Sequence, residues 1–247
     1  NKFLDPIKNV TKLKDRSSFK DYIFLEDERR IQNQLRSMGY FFSKISGSIE
    51  DLGDNKINLI YEIETGEKSK IAKIKFTGDK VYKDKKLRSI IASEEYKFWK
   101  FISGRKFLNE QIIELDKRLL KNFYLNNGFY NVKINTSFAK IVKNNSFELI
   151  FNVQANKKYF FNDLSLKISD DYSKDNFSKI YSLFEKVKGE AYSINTVNKL
   201  VELINETVIS EQFETVEANV SEKIIENKID MIFEIKESEK FFVERIN

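Results

Sequence analysis

Apolar and polar residues alternate along three stretches of the chain, 56–74, 146–164 and 228–246, and each stretch breaks near its middle on a short polar turn. The turns Gly66-Glu67-Lys68, Asn156-Lys157-Lys158 and Ser238-Glu239-Lys240 fall at equivalent places, 90 and 82 residues apart. Period two marks a strand with unlike faces, so each stretch predicts a strand, a turn and a further strand. The spacing is too long for a solenoid repeat and suits a small domain.

Ahead of each stretch, apolar residues recur at steps of three and four and predict an amphipathic helix. In the middle copy this helix covers 110–127, with Ile113, Leu115, Leu119, Leu120 and Phe123 as its buried stripe. Gly128 ends it, because glycine takes the left-handed backbone of a helix C-terminus without steric cost. The first copy ends likewise at Gly39 after Ile31, Leu35 and Met38. The third, with Val197, Leu200, Val201, Ile204 and Val208, has no closing glycine. A strand follows at once, clearest where Tyr130, Val132, Ile134, Thr136 and Phe138 alternate with Asn131, Lys133, Asn135 and Ser137. The next strand, with Phe147, Leu149, Phe151 and Val153 on one side and Ile150 opposite, is apolar enough to lie between two neighbours.

Further helices are predicted over 84–95 and 173–187, so each complete copy reads strand, helix, helix, strand, strand. The predicted class is α+β: tandem repeats, each β-α-α-β-β, with two helices packed on one face of a three-stranded mixed sheet. The first strand should run parallel to the last, which leaves the first strand of the hairpin on an edge. The first copy lacks an opening strand and starts near its first helix at Asp5-Pro6-Ile7, where Pro6 suits a helix start. The bounds read from these patterns are 1–67 for a partial repeat, 68–157 and 158–239 for complete repeats, and 240–247 for the opening strand of another.

With 41% hydrophobic and 14% aromatic residues, the 247-residue chain has material for more than one small core. Against 38 Asp+Glu, 43 Lys+Arg leave a formal charge of only +5, and the lysines are interleaved with acids rather than gathered in a phosphate-binding tract. No nucleic-acid partner is expected. Eight glycines and one proline are too few for flexible linkers, so the repeats should abut. The absence of Cys and His removes zinc sites of those ligands, cysteine nucleophiles and histidine acid–base chemistry. There is no phosphate loop, dinucleotide turn or nucleophile elbow, and the acid pairs Glu94/Glu95 and Asp170/Asp171 read as solvated charge. The chain is therefore expected not to be an enzyme and to have no catalytic residue, metal site or cofactor. No window approaches the roughly 20 apolar residues of a membrane-spanning helix. The first residues are not a signal peptide, and the missing initiator Met points to a segment of a longer protein.

The run Ile74-Lys75-Phe76-Thr77-Gly78-Asp79-Lys80-Val81-Tyr82-Lys83-Asp84, with Leu115-Asp116, Leu119-Leu120, Phe123-Tyr124 and Asn127-Gly128-Phe129 after it, resembles the POTRA repeat of the Omp85 superfamily. In that repeat an apolar strand ends in a Phe-x-Gly-Asn-like turn and the second helix ends in a Phe-Tyr…Gly-Tyr segment. Leu35-Arg36-Ser37-Met38-Gly39-Tyr40 carries the resemblance into the first copy. The third departs from it, with 163–170 where the glycine turn belongs and Glu211-Gln212-Phe213 where Gly-Tyr belongs. Phe242-Val243-Glu244-Arg245-Ile246-Asn247 looks like the opening strand of a further repeat in BamA-type members.

If the five-repeat arrangement of that type applies, the resemblance implies most of repeat two, all of three and four, and the start of five. It further implies a periplasmic scaffold that binds polypeptides during outer-membrane β-barrel assembly. Its partners would be unfolded outer-membrane proteins and accessory assembly lipoproteins, and it would meet the membrane only through a C-terminal β-barrel outside this sequence. A TamA-like or two-partner secretion transporter is the alternative within the superfamily; a division protein with one repeat is disfavoured by three copies. An RNA-binding module is a remote alternative, since Gly128-Phe129-Tyr130-Asn131-Val132 faintly matches an RRM strand, but the helix that an RRM needs between its third and fourth strands is missing.

An edge strand presents unpaired N–H and C=O groups to which an extended chain can add, largely independently of its sequence. The candidate docking edge is Tyr130, Asn131, Val132, Lys133, Ile134, Asn135, Thr136, Ser137 and Phe138, with counterparts at 41–49 and 215–220. The plainer reading is an ordinary hairpin strand blunted by Lys133 and Lys140. A second candidate is the aromatic insertion 94–108, where Tyr96, Phe98, Trp99, Phe101 and Phe107 would either meet an apolar partner or close the core beneath a long loop.

Overall fold

The computed structural model describes residues 4–97, 104–141, 146–168, 173–210 and 216–237. They form two compact units, Asn1–Leu120 with Ile134–Val153, and Lys121–Lys133 with Gln154–Asn247. The expected opening strand at 240–247 and the third polar turn lie outside the described residues.

In the first unit α1 (Leu4–Val10) and α2 (Asp21–Ser37) precede a hairpin of β1 (Lys44–Gly53) and β2 (Lys56–Glu64). These form a two-stranded sheet. Then come β3 (Lys70–Asp79), α3 (Asp84–Arg88), α4 (Glu110–Leu125), β4 (Lys133–Ile141) and β5 (Ser146–Gln154), with the sheet ordered β3-β5-β4. The second unit holds β6 (Phe160–Lys167), α5 (Ser178–Val187), α6 (Ile194–Ser210), β7 (Val216–Ile225) and β8 (Lys228–Glu237). Its sheet runs β6-β8-β7, with β6 parallel and β7 antiparallel to β8. The fold is therefore the expected α+β tandem repeat with mixed sheets, the last strand central and the first hairpin strand on the edge.

Alternation builds the cores. In β5, Phe147, Leu149, Phe151 and Val153 are buried in turn. In the second unit, Phe161, Phe184, Ile204 and Phe233 close the interior, with Phe184 stacked on Phe233 at 5.3 Å. On α4 the buried face is Ile113, Asp116, Leu120 and Tyr124, whereas Leu115 is 37% exposed. The expected stripe was wrong at Leu115: two residues beyond Ile113, on a helix of about 3.6 residues per turn, it points to the far side.

The helix expected over 84–95 ends at Arg88. Polar side chains take over the backbone groups that a longer helix would have bonded internally. Asp116 accepts the N–H groups of Ala92 (2.5 Å) and Ser93 (3.2 Å). Beyond the helix end the segment is tied to β3 instead: Glu95 accepts from the Ile74 N–H (3.0 Å) and from Arg88 (2.9 Å), whose guanidinium also donates to the Ile74 carbonyl at 2.9 Å.

One joint occurs twice. In the first unit the Gly39 carbonyl accepts from the Ser69 N–H (3.0 Å), the Ser69 carbonyl accepts from Leu108 (2.8 Å), and the Asn109 side chain donates to the Ser37 carbonyl. Within the second unit the Gly128 carbonyl accepts from Tyr159 (2.8 Å), the Tyr159 carbonyl accepts from Tyr192 (2.9 Å), and Ser193 donates to the Asn126 side chain (3.0 Å). Asn109 and Ser193 also cap their helices, accepting from the N–H groups of Ile112 and Thr196. The closing glycines thus stop a helix and start the next repeat's strand.

Candidate functional site

β4 is an edge strand, bonded on one side to β5. It begins at Lys133, later than the alternation predicts. Tyr130, Asn131 and Val132 lie in the turn before it, and each is already committed. The Tyr130 hydroxyl donates to Glu222, the Asn131 amide donates to the Tyr159 hydroxyl (2.6 Å), and the Val132 N–H donates to the Phe129 carbonyl (3.2 Å). On the strand itself Lys133, Asn135 and Ser137 are exposed and Ile134 and Thr136 half-buried, while the Phe138 side chain lies outside the described residues. Of the candidate stretch, 133–138 is therefore strand, and β4 continues to Ile141.

The counterpart edges are placed differently. β1 carries Gly47, whose N–H donates to the Glu28 carboxylate of α2 at 2.8 Å. A Cβ built on Gly47 would lie 2.4 Å from Cζ of Phe24 and 2.7 Å from Glu28 Oε1, so α2 is seated hard against that strand. On β7 the Ala218 N–H donates to the Asn205 side chain of α6 at 3.2 Å.

Of the aromatic insertion, Phe98, Trp99 and Phe101 lie outside the described residues. Tyr96 is 36% exposed, yet its N–H donates to the Ile71 carbonyl (2.6 Å) and its ring sits 6.3 Å from Phe107. The ammonium groups of Lys70 and Lys106 lie 5.2 and 5.3 Å from that ring, a cation–π arrangement.

Two buried acids were missed by periodicity because they occupy apolar-stripe positions. Asp27 on α2 accepts the N–H groups of Lys12 (2.7 Å) and Leu13 (2.8 Å), as Asp116 on α4 does those of Ala92 and Ser93. Both stand twelve residues before a closing glycine, which is the signal that would have found them.

A tyrosine cluster braces β7. Glu222 on that strand accepts from Tyr130, and Tyr192 approaches its other oxygen at 3.5 Å. The Tyr130 hydroxyl is pushed up to about 12, first by its hydrogen bond to Glu222 and then by burial; burial and the Glu222 charge raise Tyr192 as well. Tyr61 on β2 is also raised to about 12, chiefly by burial and then by the charges of Asp27 and Glu28. A tyrosine whose folded pKa lies above its unfolded value stabilises the fold below about 10, and that stabilisation is lost as pH climbs through the folded value. An alkaline titration followed by near-ultraviolet absorbance should show Tyr130 ionising late. In Glu222→Gln it should return towards about 10, the ordinary value, while Tyr61 stays late.

Among the described residues no group of acids is arranged to hold a metal ion, and no helix is long and apolar enough to cross a membrane.

The model of the POTRA family, described as surface antigen variable number repeat, matches residues 5–66 and 69–156. Similar curated proteins carry the name outer membrane protein assembly factor BamA. The one from Neisseria meningitidis is 27% identical over 104 residues, 42% of this chain and 13% of that protein. The one from Neorickettsia risticii is 21% identical over 248 residues, covering 92% of this chain and 31% of the relative. The chain thus spans about a third or less of the length of these relatives. A crystal structure of repeats 3–5 of Haemophilus influenzae BamA matches with a TM-score of 0.57 at 14% identity, covering 94% of this chain and 90% of that one. At that identity the likeness shows the fold.

Proposed function

The chain belongs to the POTRA family, with BamA-type relatives, and from that premise we propose that it is a periplasmic polypeptide-binding scaffold of outer-membrane β-barrel assembly. Unfolded outer-membrane proteins and accessory assembly lipoproteins add a strand to the open edge of β4. The remaining length of the protein supplies the β-barrel that holds the scaffold at the outer membrane.

The observation that carries this reading is the position of β4 at the rim of a mixed sheet whose central strand is β5. Backbone hydrogen bonds at such an edge accept guests of many sequences. Each contributes only about 0.5 to 1.5 kcal/mol net, while ordering a guest residue costs about 1 to 2 kcal/mol, so capture is weak and reversible. That suits a scaffold that passes its guest on. No step of this role is chemical, so the chain acts by binding.

A photocrosslinking residue at the exposed position Asn135 is expected to capture unfolded outer-membrane polypeptide. Ile134→Pro, which removes an N–H and adds a ring at the edge, should abolish that capture and impair assembly. Assembly that is unaffected by Ile134→Pro in a folded protein would sink the edge-docking reading.

A further inference from the structure

We infer that the repeats are made unequal by side-chain caps: acceptors on the second helix close the edges of β1 and β7, and lysines at the matching places leave the edge of β4 open. This rests on the edge-docking reading above and adds to it which edge is used and what selects it.

In an antiparallel hairpin, alternate residues of the outer strand turn their N–H groups away from the partner strand, and those are the groups a guest strand must reach. The Gly47 N–H is bonded to Glu28, so it is one of these outward groups and is already occupied. The Ala218 N–H, bonded to Asn205, is another. Gly47 lies opposite Tyr61 in β2 and Ala218 opposite Ile235 in β8. Both belong to the half-buried set of their strands. At β1 the Phe24 ring packs on the face of the strand where Gly47 lacks a side chain, which seats α2 closely enough for Glu28 to reach the edge. Asn205 closes β7.

The middle repeat differs at both acceptor positions. Glu28 stands eleven residues before Gly39, and eleven before Gly128 stands Lys117. Asn205 stands seven before Gln212, which occupies the glycine's place in the third copy, and seven before Gly128 stands Lys121. An ammonium group has donors and no acceptor, so neither lysine can take a backbone N–H. Lys117 instead donates to Glu114 of its own helix, at 2.9 and 3.0 Å. On the strand, Thr136 lies eight residues beyond Gly128, as Gly47 does beyond Gly39, and is half-buried like it. Among the described residues no helix side chain is bonded to the N–H of Ile134 or Thr136. Ile134 lies six residues beyond Gly128, as Ala218 does beyond Gln212, so by this correspondence Ile134 and Thr136 carry the outward donors of β4, left for an incoming chain.

The test uses the whole 247-residue chain, with a photocrosslinking residue at Ser46, Asn135 or Asn219 as reporters of β1, β4 and β7. The probe is a synthetic peptide of alternating apolar and polar residues about ten residues long, the length of one barrel strand. Capture is expected at Asn135 alone. Asn205→Ala should add capture at Asn219 and speed amide exchange of Ala218 about tenfold, the loss expected for one hydrogen bond. Glu28→Ala should likewise speed exchange of Gly47 and add capture at Ser46. Capture at Asn219 in the unaltered chain, or Ala218 exchange unchanged by Asn205→Ala, would overturn the caps. Absence of capture at every position would instead sink edge docking, and the exchange rates would still decide whether the caps exist.

Discussion

Gly78→Ala is expected to cost the first unit about 3 kcal/mol or more of stability, among the largest effects of any single methyl group in the chain. Two independent causes act together. Gly78 has a backbone φ of +82°, in the left-handed region that an L side chain enters only with strain. A Cβ there would also lie 2.4 Å from the Val153 carbonyl oxygen. That oxygen belongs to β5, the central strand, which is held on both sides and cannot retreat without loosening β3 or β4. Gly66→Ala is the control, since Gly66 has a φ of +63° with nothing within 4 Å of the added atom. It should cost only about 1 kcal/mol. Urea unfolding of the two variants separates conformational strain from collision: equal costs would show that the sheet gives way freely at Gly78.

Asp116→Ala should be nearly as damaging, costing about 2 to 4 kcal/mol, because it strands the N–H groups of Ala92 and Ser93 beneath the sheet. Asp116→Leu is expected to be no better, although the third repeat carries Leu200 at the matching place. In that repeat α5 runs for ten residues, Ser178–Val187. In the middle repeat the first helix stops after five, and the carboxylate substitutes for the turns that are missing. Burial raises the pKa of Asp116, outweighing the hydrogen bonds from Ser93 and Ala92 and the Arg105 charge, which lower it. The folded chain therefore holds this proton more tightly than the unfolded chain does. Its contribution is fully present below about pH 4, the ordinary carboxylate range, and is lost as pH rises through the raised value. Unfolding free energies measured across that window should slope downward for the native chain relative to Asp116→Asn; parallel curves would show that Asp116 does not carry the slope.

The repeat order, the parallel pairing of first and last strands and the edge position of β4 were all legible from periodicity, because each follows from local alternation repeated along one chain. What the pattern misjudged depends on partners far away in sequence. The helix from Asp84 looked longer because nothing local ends it; Asp116 does, taking N–H groups 24 and 23 residues away. Tyr130 and Val132 continue the alternation of β4, yet Tyr130 is held by Glu222, 92 residues on. The caps on β1 and β7 were equally hidden, since a Glu or Asn on the exposed side of a helix looks like solvated surface until its backbone donor is seen.

The most direct measurement is amide hydrogen exchange of the chain with and without an unfolded outer-membrane polypeptide. The N–H groups of Ile134 and Thr136, at the places that match Ala218 and Gly47, should slow when the polypeptide is added, with Gly47 and Ala218 unchanged. Protection that appears elsewhere, with Ile134 and Thr136 exchanging as before, would contradict strand addition at β4.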